Sequence, residues 1–236
     1  MNCIVSFASK GRENYNKGLL RLRDSVKEHW EGDYFLYSLD GEENEGIICC
    51  NGEMPKSLFY PSFFHYEIPY QFKPNLIQIA REKGYTKVFW CDSAIVLTKN
   101  PLELFINRPV VAFHNFNFPL WQWISDLAVK TLNSNEEEIL QAKQIMACVI
   151  GFDFTTELGN QIFDEFLNYS IDGKSFIESG STRVGFIAHR HDQSVLSVIL
   201  HRHKIPLLPY GTLVYEPHNI TFEYGSSFYF INKGII

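Results

Sequence analysis

The chain has 236 residues, enough for one sizeable domain with a buried core. Hydrophobic residues make up 45% and charged residues 20% of the chain, an ordinary globular composition that excludes a disordered or fibrous protein. The formal net charge of −6 argues against nucleic acid as a partner, because binding to a phosphate backbone needs a basic face. Aromatic residues are abundant, which suits either a large core or stacking on bases and sugars.

Cysteine usage and the N-terminal sequence favour a cytoplasmic protein. The cysteines are odd in number and lack the paired spacing of a metal site, so we interpret them as reduced thiols; they are Cys3, Cys49, Cys50, Cys91 and Cys148. The N-terminus begins with a strand pattern and shows no leader signature. No segment approaches the roughly 20 apolar residues that span a bilayer, so we expect no transmembrane segment.

The first forty residues predict a strand, a helix and a second strand. Residues 3–8 form a short apolar segment that favours a strand, residues 15–29 carry an apolar stripe at helical spacing, and residues 33–39 again favour a strand. This order is typical of the start of a parallel α/β sheet. The acidic segment that follows, residues 42–62, predicts a long irregular connection.

The next unit places an acidic residue at the end of a strand. A helix starts near Lys73 and Pro74 and ends at Gly84, and residues 86–91 form an apolar strand followed by Asp92. Ligands of open α/β sheets bind beyond the carboxyl ends of the strands, so Asp92 is well placed for chemistry.

The later segments complete the prediction of an α/β fold. In chain order they are a strand at 109–113, a helix from the Ser134–Glu137 capping box to about Met146, a strand at 147–154, a helix from about 155, and a helix from Asp192. No internal repeat or linker is evident. We predict a single domain over residues 1–236, with a mixed, mainly parallel sheet flanked by helices.

Residues 73–101 resemble the donor-site unit of GT-A glycosyltransferases, in which an Asp-x-Asp-type motif ends a strand. The resemblance implies a GT-A-like (Rossmann-like) fold, a UDP- or GDP-linked sugar as donor, a glycan hydroxyl as acceptor, and Mn²⁺ or Mg²⁺ on the diphosphate. Asp92 holds the first acidic position, but Ala94 stands at the second. Either another residue completes the metal shell, or cations such as Arg12 and Lys73 replace the metal. From spacing alone, Asp92 equally fits a residue that caps a turn.

The loop after the first strand lies where GT-A folds hold the nucleotide. Its backbone amides and the following helix N-terminus favour an anion, and Lys10 and Arg12 are expected near the diphosphate. No P-loop pattern is present. The donor-binding residues expected from the resemblance are Ser6, Ala8, Lys10, Arg12, Lys73, Asp92, Ser93, Gly151 and His191.

Residues 186–200 resemble the element that opens a late helix in many GT-A enzymes. The resemblance implies that Asp192 is the catalytic residue, acting as general base in an inverting reaction or orienting the donor sugar in a retaining one. An Asp at this position also fits a plain helix N-cap. His189 and His191 before an acid also suit a metallohydrolase, which we disfavour because no further ligands follow at a recognisable spacing.

Three other predictions rest on weaker patterns. Gly151 belongs to a small-residue stretch that resembles the family's donor-sugar contact. His218 is expected, by analogy, as a metal ligand together with Asp92. Trp121 and Trp123 are candidates for acceptor binding, although aromatic residues more often lie in the core.

The main alternative function is a non-catalytic protein on the same fold that binds a nucleotide sugar or a glycan. Ala94, in place of a second acid, is the feature in its favour. Binding without turnover would distinguish it from an enzyme.

Overall fold

The computed structural model of the chain describes residues 1–8, 13–39, 41, 44–58, 68–215 and 228–234. The strands are β1 (Asn2–Ala8), β2 (Asp33–Ser38), β3 (Ile47–Cys49), β4 (Lys87–Cys91), β5 (Ile95–Leu97), β6 (Val110–Val111), β7 (His114–Pro119), β8 (Lys143–Ile145), β9 (Val149–Asp153), β10 (Leu213–Tyr215) and β11 (Phe230–Asn232). The α-helices are α1 (Glu13–His29), α2 (Phe72–Glu82), α3 (Asp126–Thr131), α4 (Glu136–Gln141), α5 (Glu157–Asp172) and α6 (His191–Arg202). None of these described helices is long and apolar enough to cross a membrane.

The central sheet has the strand order β3-β2-β1-β4-β9-β6. β1 is parallel to β2 and β4, β2 is parallel to β3, and β9 runs antiparallel to both β4 and β6. The prediction of a mixed, mainly parallel sheet flanked by helices is therefore confirmed. From β1 the chain first builds outward through β2 and β3 and then returns to add β4 on the other side. In open α/β sheets, ligands bind in the crevice that such a reversal leaves at the carboxyl ends of the strands, here β1 and β4.

Strand alternation assigns each side chain of the sheet to one of two cores. Val5 of β1 and Trp90 of β4 face the layer of α2, α5 and α6. Ile4 and Phe89 face the layer of α1 and β5. The same alternation directs Asp92, two residues after Trp90, toward the layer that contains α2 and α6.

The boundaries of α2 confirm the predicted helix, whereas those of α4 correct another. Gly84, with φ of 88°, follows α2 in the left-handed conformation that ends helices. α4 ends at Gln141 and the chain continues into β8, so the helix predicted to about Met146 is too long. Its N-cap is Asn135, whose side chain accepts from the Glu138 N–H, rather than Ser134. A strand, β3, also lies within the segment predicted as irregular.

Candidate functional site

Asp92 lies directly after β4, at the carboxyl edge of the sheet. Its backbone N–H donates to Cys148 O (2.8 Å) and its carbonyl accepts from the Ile95 N–H (2.9 Å). These backbone bonds close the turn without the carboxylate. The carboxylate instead accepts from Trp90 Nε1 at Oδ1 (2.6 Å), and the side chain is 36% exposed. Asp92 therefore presents a fixed carboxylate rather than a turn cap.

Asp192 lies in the first turn of α6 and is buried, with 3% of its surface exposed. The N-cap position belongs to Arg190, whose side chain makes no capping bond. The Arg190 N–H is satisfied by Ser194 Oγ at 3.0 Å. The N-cap interpretation of Asp192 is therefore wrong, and its carboxylate is directed into the protein at another group.

That group is Lys73, on the first turn of α2. Its Nζ lies 3.2 Å from Asp92 Oδ1 and 2.9 Å from Asp192 Oδ2, and it donates to Ala147 O at 2.9 Å. The contact with Ala147 O is a hydrogen bond, and the two contacts with the carboxylates are ion pairs. We call Asp92, Lys73 and Asp192 the Asp–Lys–Asp triad. It combines one positive and two negative charges and is negative overall when both carboxylates are ionised.

Burial shapes the protonation of the triad. Burial raises the pKa of Asp192 above its usual value, and the charge of Lys73 offsets this only in part. Burial by itself lowers the pKa of Lys73, but the charges of Asp192 and Asp92 outweigh that effect and raise it. Lys73 is therefore a permanent cation, while Asp192 holds a proton more readily than a free aspartate does.

The triad borders a cleft of about 660 Å³. Its other described lining includes Met146, Ala147 and Cys148 before β9, Phe116 and Phe118 of β7, and the start of α6 from Ala188 to Gln193. Burial and the charge of Asp92 raise the pKa of the Cys148 thiol to about 12, so it faces the cleft as a neutral group. A cleft of this volume suits a small-molecule ligand.

The chain superposes on the apo structure of WbbM, a bifunctional glycosyltransferase, with a TM-score of 0.57 and 16% sequence identity. It has a glycosyltransferase-like fold. The match covers 97% of this chain and 45% of the WbbM chain, so the chain spans less than half the length of this neighbour. Neither a protein-family model nor a curated protein matches the sequence. The likeness to WbbM concerns the fold alone.

Of the site residues predicted from the sequence, four line this cleft: the donor-binding candidates Lys73, Asp92 and His191, and the catalytic candidate Asp192. His191 Nδ1 lies 2.8 Å from Phe176 O, and its ring is 5.3 Å from that of Tyr70. Its φ of 47° is unusual for a residue with a side chain, and such conformations concentrate at functional sites. The sequence patterns thus located the acidic part of the cleft.

Four other predicted donor residues are buried and do not belong to the described lining of the cleft: Ser6, Ala8, Ser93 and Gly151. A side chain at Gly151 would meet Phe89 Cε1 at 2.6 Å and Phe105 Cζ at 2.8 Å. Ring packing in the core thus explains this glycine without a ligand. Lys10, Arg12 and His218 lie outside the described residues.

Trp121 and Trp123, the predicted acceptor residues, are half-buried and do not belong to the described lining of the cleft. The guanidinium of Arg190 lies over the ring of Trp123, 4.7 Å from its centroid. The ring centroids of Trp123 and Phe118 are 5.9 Å apart. Sequence reasoning missed Tyr70, Phe116, Phe118 and Arg190 as lining residues. The aromatic run that begins at His114 was the available signal for two of them.

The described residues do not fit a divalent metal. Within the described ranges, no three His, Cys, Asp or Glu side chains cluster closely enough to hold an ion. Asp92 Oδ1 is already in contact with Lys73 Nζ and Trp90 Nε1, which leaves one carboxylate oxygen for a ligand. A single carboxylate oxygen is a poor site for Mg²⁺ or Mn²⁺.

Proposed function

We propose that the protein is a GT-A-type glycosyltransferase that moves a sugar from a UDP- or GDP-linked donor to a hydroxyl group of a glycan. The observation that carries the proposal is the Asp–Lys–Asp triad, which unites two carboxylates from distant segments at one cleft beside the strand-order reversal. The glycosyltransferase fold supports the same conclusion. A cytoplasmic location belongs to this proposal too.

Asp192 is the proposed catalytic residue. In an inverting reaction its carboxylate accepts the proton of the acceptor hydroxyl as the hydroxyl oxygen forms a bond to the anomeric carbon of the sugar. The bond between that carbon and the diphosphate oxygen breaks at the same time, and the diphosphate leaves with the electron pair. Its raised pKa supports this role, because a base works best when its pKa approaches the working pH. In a retaining reaction, Asp192 orients the donor sugar instead.

Asp92 is the proposed donor contact, through the carboxylate oxygen that faces away from Lys73. Trp90 and Lys73 hold its Oδ1, so the orientation of the carboxylate is set before a ligand arrives. Hydrogen bonds to donor hydroxyl groups, such as those of the ribose, suit a carboxylate fixed in this way.

Lys73 is a positioning residue in this proposal, not a diphosphate contact as the resemblance implied. Its Nζ is hydrogen-bonded to Ala147 O and ion-paired with Asp92 and Asp192, and only 2% of the residue is exposed. Binding a phosphate would require breaking one of these contacts in a buried site. The diphosphate charge is therefore assigned to Lys10 and Arg12, which follow β1 in the sequence.

No step is assigned to a metal ion, because the described donor set does not fit one. The expected pairing of Asp92 with His218 stays a prediction, and metal dependence is a variable of the experiment below. If His218 supplies a ligand, Mn²⁺ should increase donor binding in the unmodified protein and not in a His218→Ala variant.

A non-catalytic nucleotide-sugar or glycan-binding protein is the second candidate. Ala94 favours it, since this residue is 8% exposed and stands where the resemblance calls for a second carboxylate. The triad favours the first candidate, an active glycosyltransferase, because Asp192 of α6 places a second carboxylate at the cleft.

Thermal shift with UDP- and GDP-sugars, with Mn²⁺ or with EDTA, tests the proposal, followed by assay of nucleotide release with a panel of glycan acceptors. We expect one donor to stabilise the protein, Asp92→Asn to weaken that binding, and Asp192→Asn to bind the donor but lose about 100-fold or more of turnover. Asp24→Asn is the control, since Asp24 is an exposed acid on α1. If no nucleotide sugar binds, or if Asp92→Asn changes neither binding nor turnover, the proposal fails. Binding without turnover would support the second candidate.

A further inference from the structure

An aromatic ledge forms a wall of the cleft. We define the ledge as Phe116 and Phe118 of β7, whose ring centroids are 6.0 Å apart. Tyr210 packs against Phe116 at 4.2 Å, and Trp123 against Phe118 at 5.9 Å. Phe118 is 42% exposed although it is a large apolar residue, so the ledge offers ring surface to a ligand.

The backbone of the ledge adopts an uncommon conformation. Phe116 has φ of 48° and Asn117 has φ of 60°, and the pairing of β7 with β8 is irregular between His114 and Pro119. Consecutive left-handed residues other than glycine are disfavoured and persist where the surroundings hold them. Here the flanking rings of Tyr210 and Trp123 provide that support.

Arg190 brings a positive charge to the same cleft. It is exposed, and its guanidinium lies on the face of Trp123. Several other arginines of the described chain form ion pairs with carboxylates, such as Arg183 with Asp126 and Arg81 with Asp164. Across the described ranges, Arg190 has no such ion pair. Stacking fixes the guanidinium plane and leaves its N–H groups for an anion.

We propose that the ledge and Arg190 form an acceptor subsite for a sugar that carries a carboxylate or a phosphate. The apolar face of the sugar ring stacks on Phe116 and Phe118, and its anionic group pairs with Arg190. The negative charge of the triad repels that group, so the acceptor is oriented with its anion at Arg190 and a hydroxyl toward Asp192, two residues along α6. The assignment as acceptor rests on the proposed function, whereas the recognition of an anionic sugar does not.

The test is ¹⁹F NMR of the full chain, in which the four tryptophans are replaced by 5-fluorotryptophan. The signal of Trp123 is assigned with the Trp123→Phe variant. The probes are methyl glucoside, methyl glucuronide, glucose 6-phosphate and UDP. We expect the glucuronide, the phosphate or both to shift the Trp123 signal with about tenfold higher affinity than the neutral glucoside. Arg190→Gln should abolish this preference, and Phe118→Leu should weaken every sugar. Arg108→Gln, on a different surface hollow, should leave binding unchanged.

Whichever anionic sugar binds more tightly identifies the group that Arg190 takes. Equal affinity for neutral and anionic sugars, no shift with any sugar, or a preference that survives Arg190→Gln would overturn the proposal. The proposal would also be overturned if Arg190→Gln weakened the binding of UDP alone, because Arg190 would then contact the donor. An unchanged Trp90 signal verifies that each variant is folded. Anionic sugars that bind when no nucleotide sugar does would refute the proposed function while leaving this subsite intact.

Discussion

Replacing Lys73 by methionine removes the ammonium that faces both Asp92 and Asp192 and keeps a side chain of similar length. The Lys73 and Asp192 side chains are only 3% and 4% exposed, so Asp192 would be left as a buried charge without its counter-ion. Removing one partner of a buried ion pair costs about 3–5 kcal/mol. The contact with Asp92 adds little, because that carboxylate is 36% exposed and screened by water.

The expected fall in the free energy of unfolding is therefore about 3–5 kcal/mol, or roughly 6–20 °C in Tm for a domain of this size. The loss should depend on pH. The pKa of Asp192 is already raised in the folded protein. Ionisation of Asp192 therefore lowers the stability as the pH rises from its unfolded pKa to its folded pKa, and below the unfolded pKa it does not affect stability. Without Lys73 the folded pKa rises further, so the variant should recover stability relative to the unmodified protein as the pH falls.

Urea denaturation at several pH values measures both effects, with Lys73→Met/Asp192→Asn as the matched control. The double variant replaces the charge pair by neutral groups of similar shape and should regain most of the loss. A neutral effect of Lys73→Met, or a double variant no more stable than the single one, would refute the buried charge pair. It would also reopen Lys73 as a ligand contact.

Two further predictions separate structural from functional roles. Gly151→Ala should lower the free energy of unfolding by about 1–3 kcal/mol through overpacking against Phe89, and should leave donor binding intact. Gly180→Ala is the control, because a Cβ at Gly180 would meet nothing within 4 Å. A Gly151→Ala variant that keeps its stability but loses donor binding would return Gly151 to the donor site. Burial lowers the pKa of His189 to about 4 in the folded protein, below its unfolded value of about 6.5. The stability that this difference contributes is therefore fully present above a pH of about 6.5. Roughly 3 kcal/mol of the free energy of unfolding should be lost as the pH falls from there to about 4. His189→Gln should flatten that slope in denaturation curves, and an unchanged slope would contradict the assignment.

The sequence predicted the parts of the fold whose pattern is local. β1, α1, β2, α2 and β4 have clear periodicity or end signals, and Asp92 could be placed because it follows a continuous apolar strand. β5, β10 and β11 have three residues each, too few for periodicity, and they form a sheet only by long-range pairing. The overlong prediction for α4 has the same origin, since β8 is specified by its contacts with β7 and α6.

The candidate site shows the same limit. Lys73, Asp92 and Asp192 were each identified from local motifs, but nothing local indicates that one ammonium joins both carboxylates. Arg190 could not be separated from an ordinary surface arginine, because its stacking on Trp123 depends on how the start of α6 meets the segment after β7. Gly151 was misleading for a related reason, since a glycine that admits two phenyl rings has the same sequence pattern as one that admits a ligand.

The distribution of charge divides the cleft into two regions. Lys73 is one of the cations that sequence reasoning assigned to the donor phosphates, yet its ammonium is ion-paired with Asp92 and Asp192 and hydrogen-bonded to Ala147 O. An anionic ligand at the triad would meet two carboxylates beside a lysine that is already ion-paired with both. Anionic groups should therefore bind elsewhere, at Arg190 on the ledge side and at the cations that follow β1. In the proposed reaction the triad would then hold uncharged hydroxyl groups and accept a proton, as sugar transfer from a diphosphate requires.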